Sequence, residues 1–291
     1  MASNILLTGA SGFLGSHILK ELLQKKYNVV ILKREESNLY RIENLKNFSV
    51  FTLKKDYSNF NELFTHFKID TIIHLATEYG RNLSFSKVLE ANVLLPIKLL
   101  EASNKTHLKL FVNTDSFFSK FSDYQYLQPY IKTKKIFLDY LKDIEDVKVI
   151  NLQLEHIYGE FDSDSKFITS VMKQMINNVE NIELSAGEQK RDFVYVADVV
   201  SAYMKILEKE NELPFFETFE VGTGHSLSVR EFVEKMYSTT KSESNLLFGK
   251  LTTRINEIQD SKANNLSLKN LGWNPIYTHK AALERILKLE N

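Results

Sequence analysis

The stretch Ile5–Lys26, ILLTGASGFLGSHILKELLQKK, decides the fold. It opens with a short apolar run, and after the glycines Ile18, Leu19, Leu22 and Leu23 recur at helical spacing. Gly9, Gly12 and Gly15 therefore occupy a strand-to-helix turn. Gly9 permits the tight turn, Gly12 lets a pyrophosphate approach the backbone, and Gly15 allows close helix packing. Ser11, Phe13 and Leu14 complete the loop, and the helix N-terminus attracts the anion. With its strand and helix in place, the pattern predicts a dinucleotide site.

Outward from this unit, strands and helices alternate. YNVVILKR (27–34) is the second strand and FSVFTLKKD (48–56) the third, with Asp56 placed to contact an adenine amino group. NFNELFTHFKI is a helix. DTIIHLAT (70–77) is a buried strand whose end, Leu75 and Ala76, suits a backbone passing beneath a cofactor. His74 inside it is read as a packed residue. SKVLEANVLLPIKLLEASNK (86–105) is a long helix in which Pro96 takes from Asn92 its usual carbonyl partner, so a bend is expected. HLKLFVNTDSFF is the fifth strand and carries Thr114 at its carboxyl end, where open parallel sheets bind ligands. PYIKTKKIFLDYLKD is a helix with Pro129 at its first position, and VKVINLQLEHIYG (147–159) is the sixth strand. The alternation predicts an α/β fold with a doubly wound parallel sheet.

The second strand ends at Lys33 and Arg34. A carboxylate there would bind a ribose 2′-hydroxyl and favour NAD, whereas a cation accepts a 2′-phosphate, so NADPH is expected. The plain alternative, beside Glu35 and Glu36, is an exposed basic pair.

Tyr130 and Lys134 stand four residues apart and share a helix face. A free tyrosine titrates near 10, and a neighbouring ammonium favours its phenolate. The Thr114 hydroxyl can reach the same reacting oxygen. YxxxK also recurs by chance on lysine-rich helices as a solvated face; the chain around it gives it weight.

Beyond Tyr158 the rhythm changes. FDSDSKFITSVMKQMINN is a loop and helix, NIELS a short strand, and GEQKRDFVYVADVVSAYMKILEK a turn, strand and helix. Asp198 is expected as an N-cap-type residue of that helix. FFETFEVGTG is a strand, SLSVREFVEKMYSTT a helix capped by Ser226 or Ser228, and LGWNP a turn. The expected division is a dinucleotide-binding domain of residues 1–155 with about 193–233. A smaller domain takes about 156–192 with 234–291.

Composition excludes several classes. The 291 residues carry 37 basic and 37 acidic side chains, which suggests no polyanion-binding surface and no nucleic-acid partner. There is no cysteine, so disulfides, thiolate catalysis and cysteine-ligated zinc are ruled out; no metal site is expected. The N-terminal stretch lacks the pattern of a signal peptide, and no apolar run is long enough to span a bilayer. A soluble, cytoplasmic protein is expected.

GASGFLG, HLAT, Thr114, YIKTK, RDFVYVADVV and LGW together resemble the extended short-chain dehydrogenase/reductase family, in order and over nearly the whole chain. That family holds sugar-nucleotide epimerases, dehydratases and reductases. HLATEYG, NTDSFF, PYIKTK, LQLEHIYG, GEQKRDF and VGTG are similar, more narrowly, to the CDP-abequose and CDP-paratose synthase group. Those enzymes reduce the 4-keto group of CDP-4-keto-3,6-dideoxyglucose with NADPH. The resemblance implies a Rossmann fold with a smaller C-terminal substrate-binding domain, a nucleotide-sugar substrate and a homodimer. It makes Tyr130 the proton donor to the C4 oxygen; Lys134 holds the cofactor ribose and tunes Tyr130, and Thr114 orients the substrate oxygen. Asn92 belongs to the supporting helix. Arg191 and Arg254 match positions that meet the phosphates; the plain alternative for Arg254 is a surface ion pair with Glu257. Glu78, Asp115, Ser116, His156 and Gln189 fall on the substrate side.

Departures from the wider family choose among its activities. The 4,6-dehydratases place an Asp–Glu pair after the threonine, and here Asp115 is followed by Ser116. Many epimerases carry an Asn before Val-Tyr-Gly, where this chain has His156 before Ile157 and Tyr158. The cationic strand end suits consumable NADPH. The reading is a 4-ketoreductase. Its rivals are a 4-epimerase with tightly bound NAD, a reductase of a dTDP-linked 4-keto-6-deoxyhexose, and a non-catalytic NADP sensor.

Overall fold

The computed structural model describes residues 3–103, 107–121 and 124–290. The chain divides into two compact units, Met1–Gln153 with Tyr203–Phe219, and Leu154–Ala202 with Glu220–Asn291. The elements β1 (Asn4–Thr8), α1 (Phe13–Gln24), β2 (Asn28–Arg34), β3 (Ser49–Leu53), α2 (Phe60–His66) and β4 (Thr71–His74) open the first unit. Then come α3 (Phe85–Leu89), α4 (Leu95–Ala102), β5 (Leu110–Ser116), α5 (Gln128–Lys142) and β6 (Lys148–Leu154). The chain continues through β7 (His156–Tyr158), α6 (Phe167–Ile176), β8 (Asn181–Leu184), β9 (Lys190–Arg191), β10 (Phe193–Tyr195) and α7 (Val196–Glu208). After β11 (Phe216–Val221) follow β12 (Leu227–Ser228), α8 (Val229–Thr240), β13 (Asn245–Phe248), β14 (Asp260–Ser261), α9 (Leu266–Asn270) and α10 (His279–Glu290).

A seven-stranded parallel sheet in the order β11-β6-β5-β4-β1-β2-β3 forms the first unit's frame. From β1 the chain winds out through β2 and β3, then crosses back to place β4 on the other side of β1. The carboxyl ends of β1 and β4 therefore flank the point where the winding reverses, which is where such sheets bind ligands. Ile5, Leu6, Leu7, Ile72 and Ile73 are fully buried. Such unbroken apolar runs mark strands covered on both faces by helices.

One hydroxyl ties these two strand ends together. Thr8 Oγ1 accepts the N–H groups of Leu75 and Ala76, each at 3.1 Å. Its single proton then goes to Nδ1 of His74, 2.9 Å away. The histidine, 1% exposed and close to the rings of Phe111 and Phe137, is thus the packed residue that the sequence predicts.

Three local expectations change. The sixth strand is two: β6 belongs to the main sheet, and after Glu155 the chain enters β7, which pairs parallel with β10. The long helix is interrupted between α3 and α4 by a π turn, Glu90–Leu94; its expected last residues, Asn104 and Lys105, lie outside the described residues. Asp198 is no N-cap, since it lies inside the first turn of α7 and accepts the N–H groups of Ile276 and Tyr277 at 2.8 and 3.2 Å. It pins a loop, a structural role.

The second unit contains two paired strands, β7 with β10, a three-stranded sheet β12-β9-β14, and the pair β8 and β13. Because β10 pairs with β7, residues 193–202 group with this unit, as do 220–233, where the sequence assigns them to the first. Asp192, fully buried, joins distant segments. It accepts from the N–H and hydroxyl of Thr223 at 2.9 and 2.6 Å, from Gly224 N at 2.8 Å and from Ala263 N at 3.2 Å. Of the two serines expected to cap α8, the structure selects Ser228. Its hydroxyl accepts from Glu231 N at 3.1 Å, and the Glu231 carboxylate accepts from Ser228 N at 2.7 Å.

Burial, helped by the charge of Lys134, holds His74 at a pKa of about 3. Burial with Arg191 and Lys166 does the same to His156. Both side chains take up protons near 6.5 once unfolded, so stability falls as pH drops below that value. Each steepens the loss by up to about 1.4 kcal/mol per pH unit. The variant His74→Asn, which keeps an acceptor for Thr8, should flatten the decline between pH 5 and 6.5 in denaturant titrations. An unchanged slope would show that His74 does not fold in its neutral form.

Candidate active site

The glycine turn is built backbone against backbone. Gly9 takes a left-handed conformation, φ 69°, and its carbonyl accepts the Gly12 N–H at 3.0 Å. A Cβ on Gly9 would lie 2.8 Å from the nitrogen of Ala76, and one on Gly15 only 2.0 Å from the Gly9 oxygen. Gly12 is exposed and caps α1 without a side-chain hydrogen bond, and no acidic residue stands in the first turn. The N–H groups of Phe13, Leu14 and Gly15 thus have no intrahelical acceptor, an arrangement that binds phosphate. Ser11 is half-buried in the same loop. These residues fit a dinucleotide's pyrophosphate.

At the end of β2, Arg34 and Glu36 form an exposed pair at 3.6 Å. The Lys33 ammonium lies 3.4 Å from the Arg34 carbonyl. Asp56 accepts the N–H of Ser58 at 3.1 Å, and that bond holds its carboxyl below the usual range.

Five of the predicted residues, Thr114, Asp115, Ser116, Tyr130 and Lys134, lie at the end of β5 and on α5. The Lys134 ammonium, 4% exposed, donates to the Thr114 carbonyl at 2.8 Å and lies 5.8 Å from the Tyr130 ring centre. Burial lowers its pKa to about 8, against the raising effect of Asp115. The Tyr130 pKa moves opposite to the lowering expected from a neighbouring ammonium. Burial pushes its pKa well above 10, the charges of Tyr79 and Asp115 add to this, and a hydrogen bond from Ser116 opposes it. The residue is 5% exposed and stays a phenol at neutral pH. Asp115 is buried and accepts from Ser119 Oγ at 2.7 Å and Gln153 Nε2 at 3.3 Å. Tyr79 stacks on Tyr130 with ring centres 5.0 Å apart.

Asn92 explains how α5 is held. Pro96 has no N–H for the Asn92 carbonyl, and in the π turn the Leu95 N–H reaches back five residues to Glu90. The turn leaves the Asn92 side chain buried, with all its hydrogen-bonding capacity in use. Oδ1 accepts from Glu78 N at 2.7 Å and Thr77 Oγ1 at 3.2 Å; Nδ2 donates to the Glu78 carbonyl at 2.8 Å and Thr133 Oγ1 at 3.0 Å. Thr133 sits on α5 between Tyr130 and Lys134. The Glu78 carboxylate accepts the Gly80 N–H at 3.1 Å.

In the second unit, Arg191 is buried and donates to the carbonyls of Lys190 and Ile258 at 2.7 and 2.6 Å, and to Glu257 Oε1. Arg254, 57% exposed, reaches the other oxygen of Glu257 at 3.7 Å. Both nominated arginines therefore converge on one carboxylate. Gln189 is half-buried, its carbonyl accepting the Val229 N–H at 3.0 Å. His156 is uncharged, edge-on to Phe193 at 5.9 Å.

Sequence reasoning missed Thr8, Tyr79, Thr133 and Tyr203. The last is 1% exposed on α7, with its hydroxyl 2.6 Å from Thr114 Oγ1. Its one signal is a polar-tipped ring within the apolar VVSAYMKIL, since a buried phenol requires a partner.

Comparison with known proteins places the chain among relatives. Residues 5–222 match the NAD dependent epimerase/dehydratase family. The CDP-abequose synthase of Salmonella typhimurium is 37% identical over 98% of this chain and 97% of its own. Two solved structures share the fold. The UDP-glucose 4-epimerase of Thermotoga maritima, with UDP-glucose, has a TM-score of 0.85 at 21% identity and 99% coverage of both chains. The UDP-glucose-4-epimerase of Stenotrophomonas maltophila, with NAD and formylated UDP-arabinopyranose, has a TM-score of 0.86 at 21% identity, covering 98% of this chain and 97% of that one.

The contact of Gly15 with the Gly9 carbonyl yields a direct test. Gly15→Ala forces backbone apart and should destabilise the protein by about 1–3 kcal/mol, read as a lower denaturation midpoint. A parental midpoint would show that the turn yields freely.

Proposed function

Because the chain belongs to the NAD dependent epimerase/dehydratase family of extended short-chain dehydrogenase/reductases, we propose that it reduces the 4-keto group of a nucleotide-linked deoxysugar with NADPH. The substrate we assign is CDP-4-keto-3,6-dideoxyglucose, giving CDP-abequose or CDP-paratose for surface polysaccharide biosynthesis. The Salmonella relative, matched over 98% of this chain and 97% of its own, supports that choice. The observation that carries the reading is Tyr130, a buried phenol kept protonated one helical turn from Lys134 and beside the Thr114 strand end. A resting phenol is the acid a ketone reduction needs.

The Gly9–Gly15 turn would hold a nicotinamide cofactor, which when bound would supply the hydride for reduction at C4 of the sugar. Tyr130 delivers its proton to the oxygen as negative charge develops there, completing the CH–OH, and solvent restores the phenol. Thr114 donates a hydrogen bond to the same oxygen, so the keto group is gripped in one orientation. Lys134 binds the cofactor ribose. Lys33 and Arg34 take the 2′-phosphate: an exposed pair such as Arg34–Glu36 is worth about 0–1 kcal/mol and leaves the guanidinium available. Asp56 meets the adenine, and Leu75 and Ala76 support the cofactor. Arg254, the exposed member of the pair, receives the phosphates, while the buried Arg191, already engaged by Lys190, Ile258 and Glu257, holds the carboxylate that positions Arg254. We assign substrate binding also to Glu78, Asp115 and Ser116 of the first unit and to His156 and Gln189 of the second.

We assign a homodimer on the exposed apolar side chains of Leu94, in the π turn, and Ile136, on α5, 44% and 45% exposed. The cytoplasm is the compartment we assign. Among the described residues, no helix is long and apolar enough to cross a membrane.

The decisive assay is NADPH absorbance decay with CDP-4-keto-3,6-dideoxyglucose and with dTDP-4-keto-6-deoxyglucose. Stoichiometric oxidation with the CDP sugar alone is expected. Oxidation with neither, together with NAD released on denaturation, would replace the reading with a 4-epimerase. Tyr130→Phe should lower turnover by about 10²–10⁴-fold while cofactor binding stays near parental; full activity in that variant would remove Tyr130 from the chemistry.

A further inference from the structure

We propose that Tyr203 is a positioning residue that fixes the direction of the Thr114 hydroxyl during reduction, an inference that rests on the function proposed above. Tyr203 is in the apolar interior, 1% exposed, and its hydroxyl lies 2.6 Å from Thr114 Oγ1. Among the described residues it has no other hydrogen-bond partner. Thr114 is thereby fixed twice: Lys134 holds its carbonyl at 2.8 Å, and Tyr203 meets its side chain.

Proton counting gives the pair its polarity. A threonine hydroxyl carries one proton and can accept two, whereas a keto oxygen can only accept. If Thr114 gave its proton to Tyr203, it would have nothing to donate to the substrate. With substrate in place the order must therefore run from the Tyr203 O–H to Thr114, and from the Thr114 O–H to the C4 oxygen. Burial raises the Tyr203 pKa, so the phenol keeps its proton through the working pH range. The chain of donors ends on the oxygen that becomes an alkoxide, which strengthens each bond as charge develops. A phenylalanine would fill the same space without its hydroxyl.

The test is a double-mutant cycle of Tyr203→Phe and Thr114→Val, on whichever nucleotide sugar the parental enzyme turns over. Tyr203→Phe should lower kcat by about ten-fold, the scale of one hydrogen bond, with an unchanged KM for NADPH and a near-parental denaturation midpoint. Added to Thr114→Val, it should cost nothing further, because its effect passes through a hydroxyl already absent. Additive losses, or parental kcat in Tyr203→Phe, would overturn the inference. A parental enzyme that epimerises and oxidises no NADPH sinks the proposed function instead; the cycle is then read on epimerisation, where Thr114 faces the same oxygen. Calorimetric binding of the CDP sugar to the same four proteins reads the coupling without turnover. Independent effects there also overturn it.

Discussion

A buried ammonium resting on one carbonyl organises the catalytic end of this protein. Taking the charge of Lys134 out of water is costly, and its pKa of about 8 records that. What offsets the cost is local: the Thr114 carbonyl at 2.8 Å and the negative charge of Asp115. The bond runs from α5 to the end of β5, so it also locks the helix that carries Tyr130 onto the strand that carries Thr114. Position and chemistry are set together, because moving the helix would strip a buried cation of its acceptor.

The same low-dielectric interior settles the state of Tyr130. Reading the sequence as a tyrosine beside a lysine suggests a phenolate, since spacing reveals charge neighbours and conceals burial. In the folded protein, burial is the larger effect and the phenol persists. A phenol that keeps its proton is suited to the proton-donating role proposed for it.

Legibility followed range. The glycine turn, the doubly wound parallel sheet and the Tyr130–Lys134 face were all readable, because each depends on neighbours within a few positions or on strand-helix alternation. Contacts across the fold were not. Tyr203 is 89 residues from Thr114, and Thr133 is 41 from Asn92. Nor does a motif disclose how much of a side chain is already engaged: Arg191 matches a phosphate position, yet three groups of its own unit occupy the guanidinium. The break between β6 and β7 was hidden as well, since LEHIYG continues the apolar rhythm while the hydrogen-bond partners change from one sheet to another.

The π turn at Glu90–Leu94 can be viewed as one surplus residue threaded into an otherwise ordinary helix. Deleting a residue there would restore regular winding and spare every catalytic side chain. Each residue of helix subtends about 100°, so α3 and α4 would be re-phased against each other by that angle. Asn92 could no longer serve Glu78 and Thr133 at once. A change of length at that point therefore costs the Asn92 bridge, whereas a point substitution on the exposed side leaves it in place.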